Sequence, residues 1–114
     1  MGFIVRNATL EDLDFILDEL VAFSEFYDSS LFVGHVKTGH VANLVSNLIA
    51  AHVFLIIEGV GFIGGFTAPH IFNPNKSTLT ELCWWVKPEF RKSRAGYLLL
   101  KEFTRIGENY DWVT

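Results

Sequence analysis

The stretch that decides the fold is residues 80–107, TELCWWVKPEFRKSRAGYLLLKEFTRIG. It opens with an apolar, aromatic-rich run at residues 82–86, which is too short for a globular helix and therefore predicts a buried strand. Pro88 ends that strand, because proline has no N–H to donate to a neighbouring strand. Apolar residues then recur with the spacing of an amphipathic helix, at Leu98, Leu99, Leu100, Phe103 and Ile106.

A turn rich in cations and small residues lies between this strand and this helix. Its members are Arg91, Lys92, Ser93, Arg94, Ala95 and Gly96. The free N–H groups of a first helical turn point outward, and the helix dipole favours negative charge there. Gly96 has no side chain that would crowd a phosphate drawn against the helix terminus. The segment therefore predicts a phosphate site, and the alternative is a strand-to-helix turn that binds no ligand.

This segment resembles the signature of the GNAT superfamily of N-acetyltransferases, a strand followed by V-x-P-x-x-[RQ]-x-x-G-x-[GA] and a helix with leucines. Val86, Pro88, Arg91 and Gly96 match the signature. Arg94 departs from it, because the first motif glycine usually stands there. The turn is also similar to RAG variants in acetyltransferase-like proteins of tailed phages, which suggests a phage origin.

The resemblance implies a donor, acetyl-coenzyme A, and roles for the residues that would bind it. Main-chain groups of Trp85 and Val86 would pair with the pantetheine arm as though it were a neighbouring strand. N–H groups of residues 92–96 would surround the pyrophosphate, with charge added by Arg91 and Arg94. The implied cofactor-binding set is Trp85, Val86, Arg91, Lys92, Ser93, Arg94, Ala95 and Gly96.

Glu81 is the candidate catalytic residue. It lies at about the position where some members of the family carry a general-base glutamate, and its apolar neighbours predict a pKa raised by burial. The alternative is a carboxylate at the strand edge that faces water. The usual general acid of the family is a tyrosine on a helix after the fifth strand. Neither Tyr97 nor Tyr110 occupies that position, so no acid is assigned.

Length and composition bound the class of protein. The chain has 114 residues, of which half are hydrophobic, so we predict one domain at residues 1–114 and exclude disorder. No apolar run is long enough to span a bilayer, and no secretory signal is visible at the N-terminus. The single cysteine, Cys83, is expected to be a small core residue rather than a nucleophile. These features predict a cytoplasmic protein, located in the host cytoplasm if it is phage-encoded.

The formal net charge of −4 is distributed unevenly. Seven of the thirteen acidic residues lie in residues 11–28, whereas six of the nine Lys and Arg residues lie in residues 87–105. The basic cluster suits a polyanionic small ligand such as coenzyme A, and the alternative is a solvated helix face. Nucleic acid fits less well, because it usually requires a broader basic face on a basic domain.

The histidine pattern predicts no metal site. The chain has four histidines, at His35, His40, His52 and His70. Their spacing is not that of metal ligands, and no carboxylate or cysteine stands at ligand spacing near His35 and His40.

The remaining sequence completes a predicted order of β-α-α-β-β-β-α-β. The predicted strands are residues 3–6, 52–60, 61–69, 82–86 and 110–114, and the predicted second helix is residues 39–51, capped by Thr38 after a loop at residues 28–37. Thr9 with Asp12 predicts the capping of the first helix, and Glu58-Gly59 predicts a hairpin turn. The expected fold class is α/β, a GNAT-like mixed, mostly antiparallel sheet flanked by helices. The family normally continues with another helix and a hairpin, so the resemblance implies a C-terminally truncated domain.

Three functional hypotheses from different classes follow, two of them from this resemblance. The first is an N-acetyltransferase that moves an acetyl group from acetyl-coenzyme A to a primary amine of a small molecule or protein. The second is a catalytically degenerate GNAT-like phage protein that binds a protein partner or acts within an assembly. A third is nucleic-acid binding through residues 87–105, which a steep salt dependence would reveal. Because a truncated sheet would expose an open strand edge and Trp112, we also expect a homodimer or a protein partner at this C-terminal edge.

Overall fold

The computed structural model describes residues 2–26 and 39–114. Its strands and helices follow the predicted order β-α-α-β-β-β-α-β. The strands are β1 (Arg6–Asn7), β2 (Val53–Ile57), β3 (Gly61–Pro69), β4 (Ser77–Val86) and β5 (Trp112–Val113), and the helices are α1 (Leu13–Phe26), α2 (Gly39–Ala51) and α3 (Ala95–Gly107). The predicted loop at residues 28–37 and the predicted cap at Thr38 lie outside the described residues.

The five strands form one sheet in the order β1-β2-β3-β4-β5. The pairs β1–β2, β2–β3 and β3–β4 are antiparallel, and β5 is parallel to β4. The turn between β2 and β3 contains Gly59, which has a positive φ of 73°. Glycine adopts this left-handed backbone conformation at little cost. The connection from β4 to β5 contains α3, because parallel neighbours require a crossover. The predicted α/β class with a mixed, mostly antiparallel sheet is confirmed.

Both faces of the sheet are covered by helices. The core toward α1 and α2 includes Phe54 and Phe62, and the core toward α3 includes Leu79, Leu99 and Phe103. Alternate residues of β2 enter the two cores in turn, so every side chain of this strand is buried. This two-sided burial explains why β2 is apolar throughout rather than alternating.

The glycines of β3 make room for neighbouring groups of the same fold. A Cβ at Gly64 would lie 2.7 Å from the ring of Phe54, and a Cβ at Gly65 would lie 2.7 Å from the ring of Phe103. A Cβ at Gly61 would collide with the carbonyl oxygen of Trp85 on β4. The scarcity of side chains on β3 is therefore explained by internal packing.

The first two strands are shorter than predicted. β1 contains only Arg6–Asn7 rather than residues 3–6, since only these two residues pair with β2. β2 ends before Glu58 rather than at residue 60, because the N–H of Val60 turns back to the carbonyl of Ile57. Hairpin geometry thus removes residues 58–60 from the strand that the sequence predicts.

The strands around the candidate site also differ from the prediction. β4 covers ten residues rather than residues 82–86 alone, because its polar first half pairs with the end of β3. β5 contains only Trp112–Val113 rather than residues 110–114. Apolar content therefore locates only the second half of β4, since pairing at the rim of a sheet does not require apolar side chains.

The start of the first helix is held by an ion pair. Arg6 donates two hydrogen bonds of 2.8 Å, one to each carboxylate oxygen of Asp12, and the N–H of Thr9 donates to Asp12 Oδ2 at 2.8 Å. The predicted capping box of Thr9 and Asp12 is present at the 3-10 turn Leu10–Asp12, which leads directly into α1. The hydrogen bonds from Arg6, and then that from Thr9, hold the pKa of Asp12 below its usual range.

This ion pair predicts a loss of stability in acid. Because the pKa of Asp12 is lower in the folded state, its contribution is complete above about pH 4 and is lost as the pH falls through the lowered value. We expect Asp12→Asn to reduce the free energy of unfolding at pH 7 by about 1–2 kcal/mol and to remove this part of the pH dependence. Urea unfolding at several pH values measures both effects. The exposed Asp14→Asn is the control, and equal effects in the two variants would contradict the prediction.

Candidate active site

The candidate site lies where β4 ends and α3 begins. β5 pairs with β4 only at Thr78 and Leu79, and the N–H of Glu81 donates to the Thr114 carbonyl at 2.8 Å. Beyond Glu81, no strand among the described residues pairs with β4 on the side away from β3. Residues 82–86 therefore present a free strand edge, whose main-chain groups can bind an extended ligand.

A β-bulge separates the two halves of β4. Gly65 pairs with Glu81 and Gly64 pairs with Cys83, so Leu82 is left without a partner on β3. A bulge of this kind bends the strand and changes the direction of the following side chains. It lies at the point where pairing with β5 stops, so the free edge begins at the bulge.

The two adjacent tryptophans face opposite sides of the sheet, as the sequence predicts. Trp85 is buried in the core toward α1 and α2, and its indole Nε1–H donates to Glu19 Oε1 at 3.0 Å. Trp84 is 39% exposed. It lines a groove of about 390 Å³ whose other lining residues are Val86, Arg91, Ser93, Gly96, Tyr97 and Leu100. The predicted core character therefore holds for Trp85, whereas Trp84 forms part of a groove wall.

The turn before α3 retains unused N–H donors. The N–H of Ser93 donates to the Phe90 carbonyl, and the N–H of Ala95 donates to Ser93 Oγ at 3.2 Å. Of the N–H groups at residues 92–96, these two are already used. Those of Lys92, Arg94 and Gly96 have no hydrogen-bond acceptor in the described part of the chain. They are the donors that the turn can offer to an anion.

Gly96 is not required by the packing of the protein itself. A Cβ there would lie 3.5 Å from Val86 Cγ2 and 3.9 Å from the Trp84 ring, both ordinary contact distances. Glycine in a helix costs about 0.5–1 kcal/mol relative to alanine, so the fold alone favours a side chain at this position. Because Gly96 lines the groove, its missing side chain leaves space there.

Arg94 replaces the usual motif glycine without backbone strain. It has φ −83° and ψ 2°, a conformation that does not require glycine. Its guanidinium carbon lies 5.3 Å from the centroid of the Tyr97 ring, which is a cation–π contact. The departure from the motif therefore adds a cation at the start of α3 and preserves the course of the turn.

Glu81 is partly buried, and burial raises its pKa, as the sequence predicts. It lies on β4 immediately before the bulge, on the strand that leads to the groove. A carboxylate with a raised pKa has a higher proton affinity, which suits a general base.

Cys83 lies just beyond the bulge and packs against the core toward α1 and α2. Burial, and then the charge of Glu81, raises the pKa of its thiol to about 12. We therefore expect iodoacetamide to alkylate the folded protein at pH 8 at least about a hundredfold more slowly than the urea-unfolded chain. Mass spectrometry measures both rates, with Cys83→Ser as the blank. Rapid labelling of the folded protein would indicate a reactive thiolate instead.

Metal ligands do not cluster in the part of the chain that the structure describes. No group of three or more His, Cys, Asp or Glu side chains there is arranged to hold an ion. None of the helices within residues 2–26 and 39–114 is long and apolar enough to cross a bilayer.

Solved structures of acetyltransferases resemble this chain over almost its full length. A possible acetyltransferase from Clostridium difficile 630 matches with a TM-score of 0.76 and 17% identity over 99% of this chain and 78% of that one. An aminoglycoside acetyltransferase from an uncultured soil metagenomic sample matches with a TM-score of 0.71 and 15% identity over 100% and 78%. An N-acetyltransferase from Thermoplasma acidophilum, solved in complex with coenzyme A, matches with a TM-score of 0.68 and 20% identity over 96% and 74%.

Another similar structure is a GCN5-related N-acetyltransferase from Ralstonia eutropha JMP134, with a TM-score of 0.72 and 17% identity over 99% of this chain and 82% of that one. Comparison of the sequence with protein-family models and with curated proteins finds no match. At these identities the structural likeness concerns the fold. The resemblance of the strand–turn–helix segment and the architecture of the sheet agree, and the chain has the fold of the GCN5-related N-acetyltransferases.

Proposed function

We propose that this protein transfers an acetyl group from acetyl-coenzyme A to a primary amine of a small molecule or protein. The observation that carries the proposal is the continuity of the free β4 edge with the groove at Gly96 and with the unused N–H groups of the turn. An extended arm and a charged phosphate group would then lie side by side. The coenzyme A complex of the similar Thermoplasma structure supports the same ligand.

The pantetheine arm would lie along residues 82–86. The carbonyl of Val86 points to the free edge, where it accepts from Arg91 Nε–H at 3.0 Å, whereas the carbonyl of Trp85 faces Gly61 on β3. Because main-chain groups alternate in direction along a strand, the edge offers the arm the N–H of Val86 and the main-chain groups of Trp84, and Trp85, which the resemblance implies, is turned away from it. The pyrophosphate would lie against the N–H groups of Lys92, Arg94 and Gly96. The side chain of Arg94 adds positive charge there.

Glu81 would act as the general base. An amine is protonated at neutral pH and must lose a proton before its lone pair can attack the thioester carbonyl. The carboxylate of Glu81 would accept that proton, and the amine nitrogen would then form the new C–N bond. As the C–S bond breaks, the leaving sulfur would take the second proton that the nitrogen must lose, so coenzyme A would depart as the free thiol. The raised pKa of Glu81 increases its proton affinity relative to an exposed glutamate.

Isothermal titration of acetyl-coenzyme A into the purified protein tests the binding half of the proposal. We expect one site with micromolar affinity, weakened by Gly96→Val. Release of free thiol in the presence of a panel of primary amines tests the transfer half. Binding without thiol release from any amine would support the catalytically degenerate alternative, and the absence of binding would refute the proposed donor.

The second candidate function, binding of a protein partner, is favoured by apolar residues around β5. Trp112 is 59% exposed, and its ring centroid lies 5.9 Å from that of His70. His70 begins the loop that carries Ile71 and Phe72, two further exposed apolar side chains. Monomeric proteins rarely expose a contiguous patch of this kind, whereas interfaces are enriched in aromatic residues.

This patch predicts self-association through the β5 edge. We expect light scattering at micromolar concentration to show a dimer, and Trp112→Ala to shift the equilibrium toward monomer because it removes the largest exposed side chain of the edge. Leu10→Ala, at another exposed apolar position, is the matched control. A monomer at all concentrations, unchanged by Trp112→Ala, would contradict self-association.

A further inference from the structure

The two arginines of the turn have different surroundings. The guanidinium carbon of Arg91 lies 4.5 Å from the ring centroid of Trp85 and 4.6 Å from that of Phe26. Its Nε–H donates to the carbonyl of Val86 at 3.0 Å. Arg91, itself a residue of the turn, therefore contacts the last residue of α1 and the last two residues of β4.

The contacts of Arg91 continue into α1. Trp85 donates to Glu19 at 3.0 Å, and its ring makes edge contacts with Phe23 and Phe26 at centroid distances of 5.8 and 5.7 Å. Arg91 thus extends an aromatic cluster that joins the second half of α1 to the end of β4. A planar guanidinium is suited to this position, since it can stack on rings while its Nε–H is directed at a carbonyl.

Arg94 has no comparable attachment. Among the described residues it contacts one ring, that of Tyr97, and its side chain makes no hydrogen bond or ion pair. It immediately precedes α3, beside the N–H groups that the turn leaves unused. Its charge is therefore available to an anionic ligand, whereas the stacking face and Nε–H of Arg91 are already engaged.

We propose that Arg91 is a positioning residue that fastens the turn to α1, and that Arg94 supplies the cationic side chain that meets the phosphate. The role of Arg94 at the phosphate rests on the proposed function, whereas the role of Arg91 in fastening the turn does not. Arg91 would affect coenzyme A binding through the course of the turn, and Arg94 would affect it through charge. Exchange of each arginine for lysine separates these effects, because lysine keeps the charge and loses the planar fork.

Isothermal titration with coenzyme A at low and high salt is the first test. We expect Arg91→Lys and Arg91→Met to weaken binding equally, by about tenfold, with the salt dependence of the wild type. We expect Arg94→Lys to retain wild-type affinity, and Arg94→Met to lose about tenfold at low salt with a weaker salt dependence, because screening acts on the charge that was removed.

Two results would overturn the proposal. If Arg91→Lys binds like the wild type while Arg91→Met loses affinity and salt dependence, Arg91 is itself a phosphate ligand. If Arg94→Met leaves affinity and salt dependence unchanged, Arg94 does not meet the phosphate. Either outcome requires that the wild type bind coenzyme A, so it is distinguishable from failure of the proposed function.

Urea unfolding of the ligand-free protein tests the role of Arg91 even if coenzyme A does not bind. We expect Arg91→Lys and Phe26→Leu each to lower the unfolding midpoint, and the double variant to fall no further than the more affected single variant, because both remove the same stack. The paired control is Arg94→Lys with Phe26→Leu, whose effects should add. Additive losses for Arg91→Lys and Phe26→Leu would show that the turn is not fastened through this stack.

Discussion

Replacement of Gly96 by valine is expected to remove coenzyme A binding and to leave the fold intact. The valine side chain would enter the groove beside Trp84, where the structure has space for a Cβ and the proposed ligand requires that space. We expect the affinity to fall by at least about a hundredfold, since overpacking a close contact costs up to about 3 kcal/mol. Isothermal titration measures the loss, and circular dichroism and urea unfolding establish that the fold is retained.

Gly39→Val is the matched control for this variant. Gly39 also lies in the first turn of a helix, α2, and a Cβ there meets no atom of the described residues within 4 Å. Both substitutions therefore replace an unhindered glycine in a first helical turn, and only Gly96 lines the groove. Wild-type affinity in Gly96→Val, or an equal loss of affinity in Gly39→Val, would show that the groove at Gly96 is not the coenzyme A site.

Glu81→Gln is expected to reduce turnover by about 10²–10⁴-fold and to leave the affinity for acetyl-coenzyme A nearly unchanged. The amide has almost the shape of the carboxylate but cannot accept the proton of the amine. The wild-type rate should rise with pH as Glu81 ionises, at a pKa above its usual value because the carboxylate is partly buried. The rate of Glu81→Gln should not show this rise with pH.

The stability of Glu81→Gln provides an independent readout. A carboxyl group whose pKa is raised by folding destabilises the folded state when it is ionised, so its removal should leave the unfolding midpoint at pH 7 unchanged or higher. Thr80→Val, the neighbouring position on β4, is the control for general damage to the strand. If Glu81→Gln is fully active with the wild-type pH profile, Glu81 is a structural carboxylate rather than the base.

The sequence alone determined the order of the elements and the location of the turn. Local signals carry this information: the apolar run at residues 82–86, the position of Pro88 and the helical spacing that follows them. α2 and β3 have the predicted bounds, because an amphipathic pattern and a hairpin turn depend on neighbouring residues. The pKa of Glu81 could also be predicted in direction, since its apolar neighbours in the chain indicate burial.

The environment of the site was decided by contacts between distant residues. Only the register of β3 against β4 shows the bulge at Leu82, because the apolar run of β4 is compatible with either register. The sequence does not distinguish the roles of Gly64 and Gly96. In the structure, the ring of Phe54 fills the space beside Gly64, whereas Gly96 lines an open groove.

The two arginines show the same limit of sequence reasoning. Arg91 and Arg94 are three residues apart in a cationic turn, and composition predicts one role for both. Arg91 contacts Phe26 on α1, 65 residues earlier in the chain, as well as Trp85 on β4, whereas Arg94 contacts Tyr97, three residues later on α3. Local pattern therefore determined where the charges are, and only the packing of α1 against the end of β4 decided which guanidinium is engaged by the protein and which is available to a ligand.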